Sequence, residues 1–225
     1  MSEQNQWADS LQQVQDIKRI MERSSRFTSL SGLSCVAAGL CALGGAWLAY
    51  RIIQDYYQME NVARWYYTHE NFSILKNKLL LVAAGTFTAA LLTAFFFTWR
   101  KAGRMGIKLT DHSSRKVFWA MAVPLVIGGL FVLGMLQHDE WRFVSSSCLV
   151  FYGLALVNAG KYTVSDVRYL GYMEAALGLV NLFVTRHSFG YGLYFWVAGF
   201  GLLHIIYGVV MWWKYERKPA AEKKL

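Results

Sequence analysis

A chain of 225 residues that is 55% hydrophobic and only 16% charged departs from a soluble domain, which carries charge every few residues along its surface. Its net charge of +9 is confined to short segments beside long uncharged runs, which argues against a nucleic-acid-binding face. No Walker, Ser-His-Asp or His-Glu-x-x-His pattern is present, so a standard ATPase or protease is excluded and no motif names a reaction.

In chain order, Ser2–Phe27 places Trp7, Leu11, Val14, Ile17 and Met21 at helical spacing among Gln, Asp, Lys and Arg. Residues 1–29 are therefore expected to form an amphipathic cytoplasmic helix, lying on the bilayer, docking a cytoplasmic protein partner or making a homodimer contact. No apolar stretch precedes Leu30, so the first span is expected to act as the targeting signal. Six runs follow: Leu30–Tyr50, Leu79–Trp99, Val117–Gln137, Phe143–Gly160, Tyr169–Thr185 and Phe189–Trp213. About 20 apolar residues cross a hydrocarbon layer of roughly 30 Å. The pattern predicts an all-α polytopic membrane protein with a six-helix transmembrane domain over 30–213 and a basic cytoplasmic tail over 214–225.

The loops set the orientation. Lys18, Arg19, Arg23 and Arg26 precede the first run. Arg100, Lys101, Arg104, Lys108, Arg115 and Lys116 fill the second connection, Lys161 and Arg168 the fourth, and Lys214, Arg217, Lys218, Lys223 and Lys224 the tail. The opposite side holds only Arg51, Arg64, Lys76, Lys78, Arg142 and Arg186. Both termini are then expected in the cytoplasm. Arg51–Lys78 reads as the one sizeable outer loop, with an aromatic belt of Tyr56, Tyr57, Trp65, Tyr66 and Tyr67, either irregular or on a short helix with Met59 and Val62. Pro124 lies inside the third run, where membrane helices tolerate it. Cys35, Cys41 and Cys148 read as small packing residues, since no metal or disulfide spacing relates them.

Glycines recur at seven-residue intervals: Gly32 and Gly39, Gly153 and Gly160, Gly171 and Gly178, Gly192 and Gly199, Gly201 and Gly208. Each pair lies nearly two turns apart on one face and lets a neighbouring backbone approach. Gly32, Gly39, Gly171, Gly178, Gly201 and Gly208 are the expected helix-packing positions.

Four polar residues intrude on the runs. A charged carboxylate at a span centre costs roughly 2.5–3.5 kcal/mol, so Glu174 needs a partner or a task. His204 lies at nearly the same depth on the next span, and both sit on glycine-bearing faces. A Glu174–His204 hydrogen bond is expected, either locking two helices or sharing a proton. Asn158 and Asn181 read as interhelical glue or as members of one polar crevice with that pair. Thr86, Thr88, Thr93, Ser145, Ser146 and Ser147 would extend such a crevice, or bond back to their own helices. The outer loops carry His69, His138 and His187, the residue type and number a zinc or copper site needs but without a ligand motif. No cofactor is expected.

The segment Ile20-Met21-Glu22-Arg23-Ser24-Ser25-Arg26-Phe27-Thr28-Ser29-Leu30-Ser31-Gly32-Leu33-Ser34 resembles the entry to the first span in a family of uncharacterised bacterial six-span membrane proteins. Ser165-Asp166-Val167-Arg168-Tyr169-Leu170-Gly171-Tyr172-Met173-Glu174 is similar to a second landmark of that family. The resemblance spans the chain and implies a bacterial inner-membrane location, but no activity or catalytic residue. In its glycine content and short loops the chain is also similar to the acid-resistance-associated six-span proteins of the HdeD type.

These features lead first to a helix-packed membrane interaction or structural protein, with the lipid bilayer as solvent and homo-oligomerisation through glycine faces. Two alternatives stand beside it. One is a small proton-coupled transporter or permease centred on Glu174 and His204. The other is a membrane enzyme or metal protein using His69, His138 and His187.

Overall fold

The computed structural model describes residues 31–62, 69–104, 106, 112–184 and 190–217, leaving aside the side chains of 59–62 and 69–72. The amphipathic helix expected over 1–29 and the tail beyond Arg217 lie outside these residues. The described chain is helical, with no strand among the described residues. Helix α1 is Gly32–Val62, α2 His69–Arg104 and α3 His112–Gln137. A single 3-10 turn, Trp141–Phe143, leads into α4, Val144–Ala159, and α5 is Asp166–Val184. The last helix, α6, runs over Tyr191–Glu216. Its α-helical pieces Tyr191–Trp196 and His204–Met211 alternate with π-helical Val197–Leu203 and Trp212–Glu216.

Among the described residues five stretches are long and apolar enough to cross a membrane: Gly32–Gln58, Ser73–Arg104, His112–Gln137, Trp141–Ala159 and Tyr191–Glu216. That marks a membrane protein. Outward-facing Trp47, Leu81, Leu92, Phe95 and Phe183 fit lipid as the surrounding solvent. Helix α5 is nineteen residues long but less apolar, because Asp166, Arg168, Glu174 and Asn181 interrupt it. The helices also outrun the apolar segments. Arg51 to Val62 and His69 to Lys78 were expected as one outer loop, yet they continue α1 and begin α2. No glycine or proline stops them, and a helix once nucleated adds residues at little further cost.

Neighbouring helices run antiparallel and their glycines set the spacing. On α1 and α6, a Cβ at Gly32 would stand 2.5 Å from the Gly208 carbonyl oxygen, and one at Gly39 2.8 Å from that of Gly201. On α4 and α5, Gly153 and Gly171 face each other, while Gly178 faces the Ser146 carbonyl at 2.9 Å. Helix α2 packs chiefly on α1, with Thr86 against Gly45. Helix α3 packs on α4, where Phe151 fills the space at Gly128. All these glycine contacts lie within one chain.

One end of the bundle gathers the start of α1, α3 and α5 with the end of α2, α4 and α6. Its core is Leu156, Val167, Leu170, Tyr207 and Met211, with Cys35, Met121, Tyr152, Val164 and Leu203 against it. Glu216, at the end of α6, fastens this end. It accepts hydrogen bonds from the backbone N–H of Gly32 at 2.7 Å and from Lys101 Nζ at 3.0 Å, with Ser31 Oγ at 3.5 Å. The acid thus caps α1 and binds α2 at once. At the opposite end, Lys76 of α2 pairs with Asp139 in the α3–α4 turn and lies over the Trp141 ring. Asp139 adopts φ 59°, a left-handed conformation that Asp tolerates better than most residues.

Candidate functional site

Three helices meet at Glu174. It projects from the buried face of α5, formed by Val167, Leu170, Gly171, Glu174, Gly178 and Asn181, whose spacing of three and four is that of one helix side. Its side chain is 0% exposed. His204 of α6 is 4% exposed, and its Nδ1 lies 3.2 Å from Glu174 Oε1. Tyr152 of α4 approaches from the other side, its hydroxyl 2.8 Å from His204 Nε2.

The distance between Glu174 and His204 is that of an ion pair, but the ring N–H does not serve the acid. Nδ1 is also 3.1 Å from the Gly199 carbonyl oxygen and bonds there. Among the described residues neither carboxylate oxygen has a hydrogen-bond partner. Both neighbours of Nδ1 are acceptors, so in the neutral ring Nδ1 carries the hydrogen. Nε2 is then the acceptor, and the Tyr152 hydroxyl donates to it. The result is a Tyr152–His204–Glu174 chain whose last member lacks a donor.

The backbone makes room for this arrangement. Gly199 lies within π-helical Val197–Leu203, immediately before His204. A Cβ there would stand 2.5 Å from Glu174 Oε2 and would also strike Leu149. Only glycine lets the acid lie against α6. Single π turns inside α-helices concentrate at functional sites. Trp196 and Phe200 pack at 4.6 Å between ring centres with their planes tilted by 53°, and Phe200 lies 5.3 Å from Tyr152. These rings wall the chain with apolar surface.

The other polar residues go elsewhere. Asn181, also 0% exposed, donates from Nδ2 to Ser145 Oγ at 3.3 Å, and Ser145 donates to the Gly192 carbonyl at 2.7 Å. That relay ties α5, α4 and α6. Asn158 donates to the Ala120 carbonyl at 2.8 Å, joining α4 to α3. Asn158, Glu174, Asn181 and His204 therefore occupy three places rather than one crevice. Thr88, Thr93 and Ser146 bond back to the Ala84, Ala89 and Phe143 carbonyls. His138 is exposed at the α3–α4 turn. His187 and the His69 side chain lie outside the described residues, and among those described no three His, Cys, Asp or Glu gather to hold a metal. The three cysteines are free. The ammonium of Lys76 holds the Asp139 carboxyl below the ordinary carboxylate range.

Sequence reasoning missed Tyr152. Its only signal is a hydroxyl-bearing aromatic in mid-run, a residue that when buried requires a partner. Comparison of the chain with protein-family models, curated proteins and solved structures gives no significant match, so the geometry carries the functional reading by itself.

Proposed function

We propose that the chain is a six-span integral membrane protein of the bacterial inner membrane, with both termini cytoplasmic, that works as a small proton-coupled carrier. Its proton-holding group is Glu174, with His204 and Tyr152 as its relay. The observation that carries the reading is a fully buried carboxylate with no donor to either oxygen among the described residues. A hydrogen bond that locks helices is satisfied, as Asn181 is by Ser145. Glu174 gives the fold no such bond, and an unpaired charge there is costly.

One proton makes the site neutral in two ways: as carboxylic acid with imidazole, or as carboxylate with imidazolium 3.2 Å away. When His204 gains a proton at Nε2, the Tyr152 hydroxyl must turn from donor to acceptor. Proton uptake is thereby coupled to a reversal of the hydrogen bond that joins α4 to α6. Such a coupled, midplane acid is what proton-driven carriers use.

Infrared difference spectroscopy of the purified chain between acid and alkaline pH tests this. A carboxylic C=O band that titrates, vanishes in Glu174→Gln and shifts in Tyr152→Phe is the expected result. A titrating spectrum identical in wild type and Glu174→Gln would remove Glu174 from the mechanism. The second reading, a packed interaction scaffold, is favoured by the closed glycine seams of α1 on α6 and α4 on α5. It predicts no such band.

A further inference from the structure

A separate site lies at the end of the bundle where α3 begins. His112, Arg115, Lys116 and Trp119 follow one another at offsets of three, four and seven residues, which places them on one helix face. They border a cavity of about 430 Å³ that Ala120, Asn158 and Tyr162 complete. Asn158 comes from the last turn of α4 and Tyr162 from the turn that follows it. Nothing in the Glu174 chain uses these residues.

The chemistry of the lining is one-sided. Arg115 and Lys116 are cations, His112 adds an imidazole, and among the described residues no carboxylate lines the cavity. The acids nearest this end are occupied. Asp166 accepts from Lys214 at 2.6 Å and from Tyr215 at 3.0 Å, and Glu216 is held by Lys101 and Gly32. Asp111 lies outside the described residues. Positional charge bias accounts for cations at this end of a membrane protein, but it does not require them to converge on a concave surface with an amide and two aromatic rings.

Shape and depth narrow the ligand. The volume lies within the roughly 300–1,000 Å³ of small-molecule pockets and exceeds what a bare ion fills. Arg presents a planar fork that matches phosphate oxygens, while Lys adds a point charge. Trp119 and Tyr162 are amphipathic rings of the kind that sit at headgroup level. The apolar run of α3 begins at Val117, so the cavity lies where hydrocarbon-facing residues give way to charge. We propose that this cavity binds an anionic phosphate group carried on a small polar body, supplied by an anionic phospholipid headgroup or by a soluble phosphorylated molecule.

Native mass spectrometry of the full chain in non-ionic detergent tests the site, with phosphatidylglycerol, phosphatidylcholine and glycerol 3-phosphate as probes. Phosphatidylglycerol or glycerol 3-phosphate binds, and zwitterionic phosphatidylcholine does not compete. Arg115→Gln and Lys116→Gln each weaken binding about fivefold, the effect of one cation at an anionic surface. Trp119→Leu weakens it as well. Arg104→Gln, at the same end but outside the cavity, leaves it unchanged. Retention of phosphatidylglycerol alone identifies a lipid site, and Arg115-dependent binding of glycerol 3-phosphate identifies a soluble ligand. Arg115 and Lys116 are exposed, so their variants keep the core intact. The proposal is overturned if neither anionic probe binds, or if Arg104→Gln costs as much as Arg115→Gln.

Discussion

Replacing Gly171 by alanine puts a methyl group where α5 crosses α4. The added carbon would stand 2.7 Å from the Gly153 carbonyl oxygen and 2.8 Å from the Val157 nitrogen, whereas ordinary contact begins near 3.4 Å. Both obstacles are backbone, so no rotamer change relieves them. The helices must part by roughly 0.7 Å, and a gap of that order forfeits a quarter to a half of each dispersion contact along the seam. Overpacking of this type costs about 1–3 kcal/mol, offset by the roughly 0.5–1 kcal/mol that alanine gains over glycine within a helix. The expected net loss is about 1 kcal/mol, within a range of roughly 0–2.5 kcal/mol. Gly44→Ala and Gly85→Ala are the controls, since nothing lies within 4 Å of a Cβ at either position; both are expected to be neutral or stabilising. Reversible unfolding in mixed micelles of increasing SDS fraction measures the difference. Gly153→Ala combined with Gly171→Ala should cost less than the two singly, because one helix displacement relieves both contacts. Equal midpoints for Gly171→Ala and Gly44→Ala would refute a close α4–α5 seam.

Tyr152→Phe removes the donor to His204 Nε2 and is expected to cost about 1 kcal/mol. In the wild type, nitrogen-15 NMR of neutral His204 should show a protonated Nδ1 and an accepting Nε2; the opposite tautomer would overturn the relay as drawn. The Lys76–Asp139 pair gives a pH signature. The Asp139 pKa is lowered in the fold, so its contribution is present above the unfolded-state value of about 3.9 and is lost as pH falls through the folded value. Asp139→Asn should therefore flatten the acid limb of the melting-temperature profile below about pH 4 and leave the limb above it parallel to the wild type.

Apolar run lengths made the helices legible, because lipid imposes about 20 uncharged residues on each crossing. They did not reveal where α1 ends or α2 begins. Hydropathy marks the part of a helix inside lipid, whereas Arg51 to Val62 continue the helix through backbone propagation alone. Depth counting put Glu174 and His204 at one level, and a short connection made their helices neighbours. The sequence could not say that Nδ1 would turn to the Gly199 carbonyl, since that depends on the π-helical register of Val197–Leu203. Tyr152 reads as a packing aromatic until α4 is seen to run alongside α6. Glu216 reads as part of a solvated tail, and its role emerges only because α6 ends beside the start of α1 and the end of α2. Partner identity between helices distant in sequence is what a single chain hides.

Glu216 and Glu174 together form an internal control for the functional reading. Glu216 accepts from a backbone N–H at a helix start and from a lysine, all within 3.0 Å. Its removal should cost what charge-assisted bonds at a helix terminus supply, about 1–2 kcal/mol. Glu174 is more deeply buried yet accepts no hydrogen bond among the described residues. On the carrier reading, its burial is a burden on the fold, tolerated for what the site does. Two isosteric changes follow with opposite signs in the same unfolding assay. Glu216→Gln should unfold earlier than the wild type, because the glutamine cannot hold Lys101 as an ion pair. Glu174→Gln should unfold at the wild-type midpoint or later, because an uncharged amide replaces a group that would otherwise need neutralising. If instead Glu174→Gln destabilises the chain as much as Glu216→Gln does, Glu174 is a helix lock after all, and the carrier reading gives way to the scaffold.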